Sequence, residues 1–238
     1  MRSRNSPTHP VVVLSGASGG LGTSTLAGAV AGCACADLTL VDGDVRAGGI
    51  DVTVGAEHEP GLRWPDLARH EGPVVADQLR GRLPAAPWPV LAARGAGPAE
   101  STVVEVVRGL SAAAPVVLDL PVRSLPERAW TEVPDLVVLL VGLRPRWLRD
   151  AETHLDRLGA LRQRVALVTR GPLRPRGAPE RVAEHLGLPL LEHLPDDPQV
   201  VRAEARGGPP GRRGACAGVA GVVVEVAGLG GRRGRAAA

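Results

Sequence analysis

Residues 11–30 read VVVLSGASGGLGTSTLAGAV. Val11–Leu14 is an apolar run rich in β-branched side chains, and it predicts a short buried strand ending at Ser15-Gly16. Gly19, Gly20 and Gly22 then remove Cβ atoms from a turn, and Ser24–Ala36 has the small-residue character of a helix. A strand, a glycine turn and a helix start in that order make a phosphate cradle. Loop N–H groups can approach an anion closely there, and the helix dipole adds to the attraction. Such a loop occurs in more than one protein family, so it does not choose a chemistry by itself.

The pattern repeats outward from this unit. Leu38–Val41, Val90–Ala93, Pro115–Leu120, Leu136–Val141 and Val165–Thr169 are further short apolar runs. Helical stretches lie near 99–113, 145–161, 178–186 and 215–228. Residues 43–90 are irregular and Pro-rich, which predicts an extended loop with one or two short helices. Uninterrupted apolar strands alternating with helices predict a doubly wound α/β fold, with a mostly parallel sheet covered on both faces. The expected organisation is a disordered tail over 1–10, one domain over 11–228 and a basic flexible tail over 229–238.

Composition removes several chemistries. All 28 basic side chains are arginine, and Tyr and Phe are absent. Schiff bases, Tyr–Lys proton relays and the usual phosphate-binding lysine are therefore excluded. The 31 glycines and 22 prolines stay below the roughly 25–30% of a low-complexity chain. The net charge of +3 is unevenly spread. Arg202, Arg206, Arg212, Arg213, Arg232, Arg233 and Arg235 outweigh Glu204 and Glu225, which leaves the rest of the chain slightly acidic. That body gives no electrostatic case for nucleic acid, and the basic tail reads as solvated. Cys33, Cys35 and Cys216 form no disulfide framework, and they read as small core residues of a reducing compartment. With no signal peptide and no apolar run of about 18 residues, the chain reads as soluble and cytoplasmic.

Two families share such a glycine loop. GASGGLG resembles the dinucleotide loop of short-chain dehydrogenases, with Asp42 where a ribose-binding acid would lie. That family's chemistry needs a Tyr and a Lys, and this chain has neither. The second family is the MinD/ParA type of P-loop ATPases, with its deviant Walker A motif. Ser18-Gly19-Gly20-Leu21-Gly22-Thr23-Ser24-Thr25 is similar to that family's K-G-G-x-G-K-[ST]-[ST] pattern, with Ser18 and Thr23 in place of its two lysines. Leu40-Val41-Asp42-Gly43-Asp44 resembles the start of its first switch, and Gly48–Gly55 looks like the continuation. Pro115–Pro121 resembles the Walker B strand, with Asp119 at the acidic position. Leu194–Asp197, followed by Val200, Val201, Ala203, Gly207 and Pro209, resembles the stretch beside the adenine. Within the family, Gly55-Ala56-Glu57 and Pro60-Gly61-Leu62-Arg63-Trp64-Pro65-Asp66-Leu67 look like actinobacterial CpaE-like, or septum-site-determining-like, proteins. Longer members carry an N-terminal receiver-like domain. With ten residues before the first strand, none is expected here.

The resemblance implies ATP with Mg²⁺ as cofactor. Gly19, Gly20, Leu21, Gly22, Thr23, Ser24 and Thr25 would hold the phosphates, and Arg170, Pro195 and Asp196 would lie near the base. Ser24 would give the Mg²⁺ hydroxyl, Asp42 and Asp119 would hold the metal through water, and Asp44 would orient the attacking water. Plainer roles stay open: Asp42, Asp119, Asp196 and Asp197 also suit helix or turn caps. Trp64 reads as a packing anchor, and His58, His70, His154, His185 and His193 read as surface or packing residues. Thr23 offers a neutral hydroxyl in place of an ammonium, a loss of roughly 3–4 kcal/mol of transition-state stabilisation. Arg46 and Arg123, which follow the two switch-like segments, are the candidates to compensate.

Ser18 is too short to reach across an ATP-sandwich dimer, so a homodimer would need another surface. The implied role is regulatory or positional, in septum formation or in pilus and secretion assembly, with protein partners from that machinery. An active Mg-ATPase with a substituted clamp and an interaction module that has lost its ligand are the alternatives. MinD proteins anchor through a C-terminal amphipathic helix. The Ala/Val/Gly-rich stretch 215–228 instead predicts a helix docked on the sheet, with membrane association peripheral at most.

Overall fold

The computed structural model describes residues 9–34, 37–46, 48–68, 74–85, 87–95, 97–125, 130–172 and 176–230. Cys35, His70 and most of both predicted tails lie outside them. The apolar runs become strands β1 (Val11–Gly16), β2 (Thr39–Asp42), β3 (Val90–Leu91), β4 (Val116–Asp119), β5 (Leu136–Gly142) and β6 (Val165–Arg170). A seventh, β7 (Leu190–Leu194), was not expected. Its LLEHL alternates weakly at a half-exposed sheet edge, so it lacks the solid apolar run of the others. All seven pair in parallel, in the order β3-β2-β4-β1-β5-β6-β7.

Period-2 alternation in β1 shows why the fold needs helices on both faces. Val11 and Val13 enter one apolar cluster, and Val12 and Leu14 enter the other. α3 (Ala76–Arg80), α4 (Glu100–Ser111), α5 (Pro145–Leu155) and α6 (Ala178–Leu186) cover the first face. α1 (Thr23–Cys33), α2 (Ile50–Val54) and α8 (Ala215–Val226) cover the second. α7 (Pro198–Glu204) buries none of its residues. The irregular region holds α2, a 3₁₀ turn at Trp64–Leu67 and α3, which is one more helical piece than expected. The helix expected over 145–161 ends at Leu155, and a separate 3₁₀ segment, Gly159–Arg164, follows it.

α8 docks as predicted. It buries Cys216, Val219, Ala220 and Val223 in the cluster shared with α1. No described helix is long and apolar enough to cross a membrane. Asp197 ties α7 to α8. One carboxylate oxygen accepts the Gln199 N–H at 2.9 Å and the other accepts the Cys216 N–H at 2.8 Å. Gly214 makes room for this, because its φ is +99° and a Cβ there would sit 2.5 Å from the carboxylate. Asp197→Ala removes both caps and should lower unfolding free energy by about 1–2 kcal/mol. Urea denaturation reads this as a lower midpoint, and an unchanged midpoint would disprove the double cap.

Candidate functional site

The strand order reverses about β1, and its carboxyl end opens a crevice, where open α/β sheets hold ligands. The chain leaves β1 through residues 17–22, pinned by the Ala17 N–H to the Leu140 carbonyl at 2.9 Å. Gly20 and Gly22 take φ of +76° and +84°, where a side chain would be strained. α1 then starts on Gly22 with no side-chain cap and no acid in its first turn. Its first N–H groups thus face the cleft uncapped, with the positive end of the helix dipole behind them.

Two carboxylates meet opposite this loop. Asp42 ends β2, Asp119 ends β4, and the two are direct cross-strand partners in register. Like charges so placed repel. Burial, then the Asp119 charge, pushes the Asp42 carboxyl up to about 7, even though the Ile50, Asp44 and Ala93 N–H groups pull the other way. Burial pushes Asp119 up to about 6, against the hydrogen bond it accepts from the Ser24 hydroxyl, and the Asp44 charge adds to the rise. A buried carboxylate (Asp42), a half-buried one (Asp119) and a hydroxyl form a hard oxygen set that suits a divalent cation of the Mg²⁺ type, with water and phosphate completing the shell. Among the described residues no three His, Cys, Asp or Glu side chains are placed to hold a metal ion by themselves.

Gly19, Gly20, Leu21, Gly22, Thr23, Ser24, Thr25, Asp42, Asp44 and Asp119 all line one cleft of about 640 Å³. Leu21 contributes backbone only, because its side chain is buried in the core. Arg170, Pro195 and Asp196 line an adjoining cleft of about 570 Å³, and both clefts share Gly20, Gly22 and Thr25. There Arg170 pairs with Asp196 at 2.8 Å and donates to the Leu194 carbonyl at 3.2 Å. Two clefts of this size joined at a glycine loop suit one elongated small molecule.

Residues around the cleft support it through contacts that the sequence does not display. The Trp64 indole N–H donates to the Asp42 carbonyl at 2.6 Å, so the fully buried anchor also holds the end of β2. Asp51, behind it, pairs with Arg63 at 3.5 Å and Arg94 at 3.3 Å. His154, which the sequence presents as a surface or packing residue, lines the cleft of about 640 Å³. Its Nδ1 is buried and bonded to no described group, and burial followed by the Arg157 charge lowers its pKa. His58 and His185 sit in exposed ion pairs, and His193 bonds Thr169.

Comparison with known proteins fits this geometry. No protein-family model matches the chain. Uncharacterized proteins from two strains of Mycobacterium tuberculosis are 37% identical over 207 residues, which is 83% of this chain and 58% of theirs. The chain thus matches little more than half the length of these relatives. Among solved structures, a chain of the MinC:MinD cell division protein complex of Aquifex aeolicus superposes with a TM-score of 0.72 at 18% identity, over 92% of this chain and 96% of that one. The cell division ATPase MinD of Pyrococcus furiosus gives 0.71 at 18%, over 92% and 100%. A ParA family ATPase of Chlorobium tepidum gives 0.63 at 14%, over 94% and 93%. The fold is that of the MinD/ParA-type P-loop NTPases. On this fold the glycine loop, the two strand-end acids and the adjoining cleft occupy one crevice. Ser18 turns back onto its own α5, where its hydroxyl donates to Asp150 at 2.7 Å, and Thr23 opens α1 with a neutral hydroxyl.

Proposed function

We propose that this chain is a regulatory or positioning protein of the MinD/ParA fold that binds Mg-ATP weakly, with little or no turnover. The domain is residues 11–228, working in the cytoplasm with protein partners. The septum or pilus/secretion role of CpaE-like proteins is the reading its PGLRWPDL block supports. In this reading Ser24, Asp42 and Asp119 hold the metal, and Asp44 faces the attacking water. Residues 19–25 hold the phosphates, and Arg170, Pro195 and Asp196 flank the base.

One observation carries the reading. The phosphate cradle and the in-register Asp42–Asp119 pair are both intact, while the two lysine positions are Ser18 and Thr23. The apposed acid pair, buried at Asp42 and half-buried at Asp119, is electrostatically costly, and a bound cation relieves that cost. Ser18, bonded to Asp150 of its own chain, argues against a dimer bridged through that residue. Any homodimer uses another surface.

Calorimetric titration with ATP and ADP in millimolar Mg²⁺ tests this. The expected result is saturable, Mg²⁺-dependent binding with an affinity well below that of a lysine-clamped site. Tenfold excess over Kd stabilises the native state by about 1.4 kcal/mol and raises Tm by roughly 2–4 °C. No heat and no change in Tm at millimolar Mg-ATP would leave the fold as an interaction module without a ligand.

A further inference from the structure

The phosphate-side cleft carries an imbalance. Its charged lining side chains, among the described residues, are Asp42, Asp44, Asp119 and Arg123. A nucleoside triphosphate with one Mg²⁺ would bring further negative charge into this acidic crevice. Arginine must supply any permanent side-chain cation in this chain, which has no lysine. Arg123 is the only arginine on the wall of this cleft among the described residues. Arg46, the other sequence candidate, is exposed and borders only the neighbouring cavity of about 310 Å³, whose wall Asp44 and Arg123 share, and it does not line the glycine-loop cleft.

The geometry of Arg123 suits a polyphosphate. It stands four residues beyond Asp119, on the loop that leaves β4 opposite the glycine turn. One terminal nitrogen, Nη2, lies 3.1 Å from both carboxylate oxygens of Asp44. Its side chain is 65% exposed, against 28% for Asp44. An ion pair this open to water contributes little and is easily exchanged. Arginine binds phosphate through forked, charge-assisted bonds, and a terminal phosphate carries more charge than one carboxylate.

We propose that Arg123 is the phosphate-binding cation of this cleft, with Asp44 and the terminal phosphate of a nucleoside triphosphate competing for its guanidinium. This rests on the reading that the cleft binds nucleotide. Binding a triphosphate then draws Arg123 off Asp44, so the cation missing from Ser18 and Thr23 is supplied from the opposite wall. A diphosphate has no terminal group in that place and leaves the pair together.

The test is calorimetry on the full chain with Mg-ATP and Mg-ADP, comparing wild type with Arg123→Ala, Arg123→Lys, Arg46→Ala and Asp44→Asn. Arg123→Ala should weaken ATP at least about tenfold and ADP less than about threefold. Arg123→Lys should recover part of the loss, and Arg46→Ala should stay within about twofold of wild type. Asp44→Asn should tighten ATP more in the wild-type background, where it also frees Arg123, than in the Arg123→Ala background, where only the loss of its own repulsion remains, and that difference is a coupling a merely structural role would not produce. Thermal melts of the nucleotide-free variants confirm folding. Wild-type binding with unchanged ATP affinity in Arg123→Ala overturns the assignment alone, as does equal weakening of ATP and ADP. No binding by wild type overturns the nucleotide reading and this assignment together.

Discussion

Asp51→Ala should lower the unfolding free energy by about 3–5 kcal/mol, the cost of leaving buried charge without its partner. The Asp51 side chain is 3% exposed and that of Arg63 is 9%. Arg63 donates through Nη1 to the Gly61 carbonyl and through Nη2 to those of Ala56 and Glu59. Its buried Nε makes no hydrogen bond and faces the Asp51 carboxylate at 3.5 Å. The Ala variant leaves that guanidinium charge inside the protein with no opposing charge of comparable burial. Arg94 is half exposed and reaches water when Asp51 is lost, so Arg94→Ala should cost less than about 1 kcal/mol. Urea denaturation checks both, with the midpoint shifting and the slope unchanged. A loss below about 1 kcal/mol for Asp51→Ala would show that the pair is not a structural strut. The loss should also reach the site. Arg63 neighbours Trp64, whose indole holds the Asp42 carbonyl, so Mg-nucleotide affinity should fall with stability.

How much of this was legible in the sequence depends on whether the signal was local. Val11–Thr25 carries strand, glycine turn and helix start in one continuous stretch, so its structure followed from reading it. The edge strand β7 was missed because Glu192 and His193 interrupt its apolar character, and a half-exposed edge tolerates that. Asp42 and Asp119 were each recognisable as strand-end acids. Their apposition was not, because it depends on β2 and β4 being neighbours in exact cross-strand register. Arg46 and Arg123 look equivalent in sequence, each a few residues beyond an acidic strand end, and both border the same neighbouring cavity, but the packing of the two loops brings only Arg123 onto the wall of the glycine-loop cleft. The PGLRWPDL block was visible as a signature. Its role was not, since Trp64 acts on Asp42 and Arg63 on Asp51 through the fold, across residues that the sequence keeps apart.

Asp119→Asn should stabilise the metal-free protein and disable the ligand-bound one. The native pKa values of about 7 for Asp42 and about 6 for Asp119 both lie above the ordinary 3.8. Above pH 4 the folded state therefore holds protons that the unfolded state has released. Stability from this pair is complete below about pH 4 and is lost as pH rises to about 7. At pH 8 both acids are charged and face each other across β2 and β4. Asparagine removes one buried charge and relieves the other, a gain on the order of 2 kcal/mol at that pH. His154 and His193, whose pKa values are lowered by burial, bend the pH curve the opposite way. They are present in both proteins and cancel in the difference. Melting in EDTA should thus show the variant above wild type at pH 8, with the two converging toward pH 4. Magnesium competes with protons for the same oxygens, so the wild-type gain from Mg-ATP should grow between pH 6 and pH 8, and the variant should lose most of that gain. A variant less stable than wild type in EDTA at pH 8 would mean that the hydrogen bond from Ser24 outweighs the repulsion. A variant that keeps the full Mg-ATP gain would remove Asp119 from the metal site.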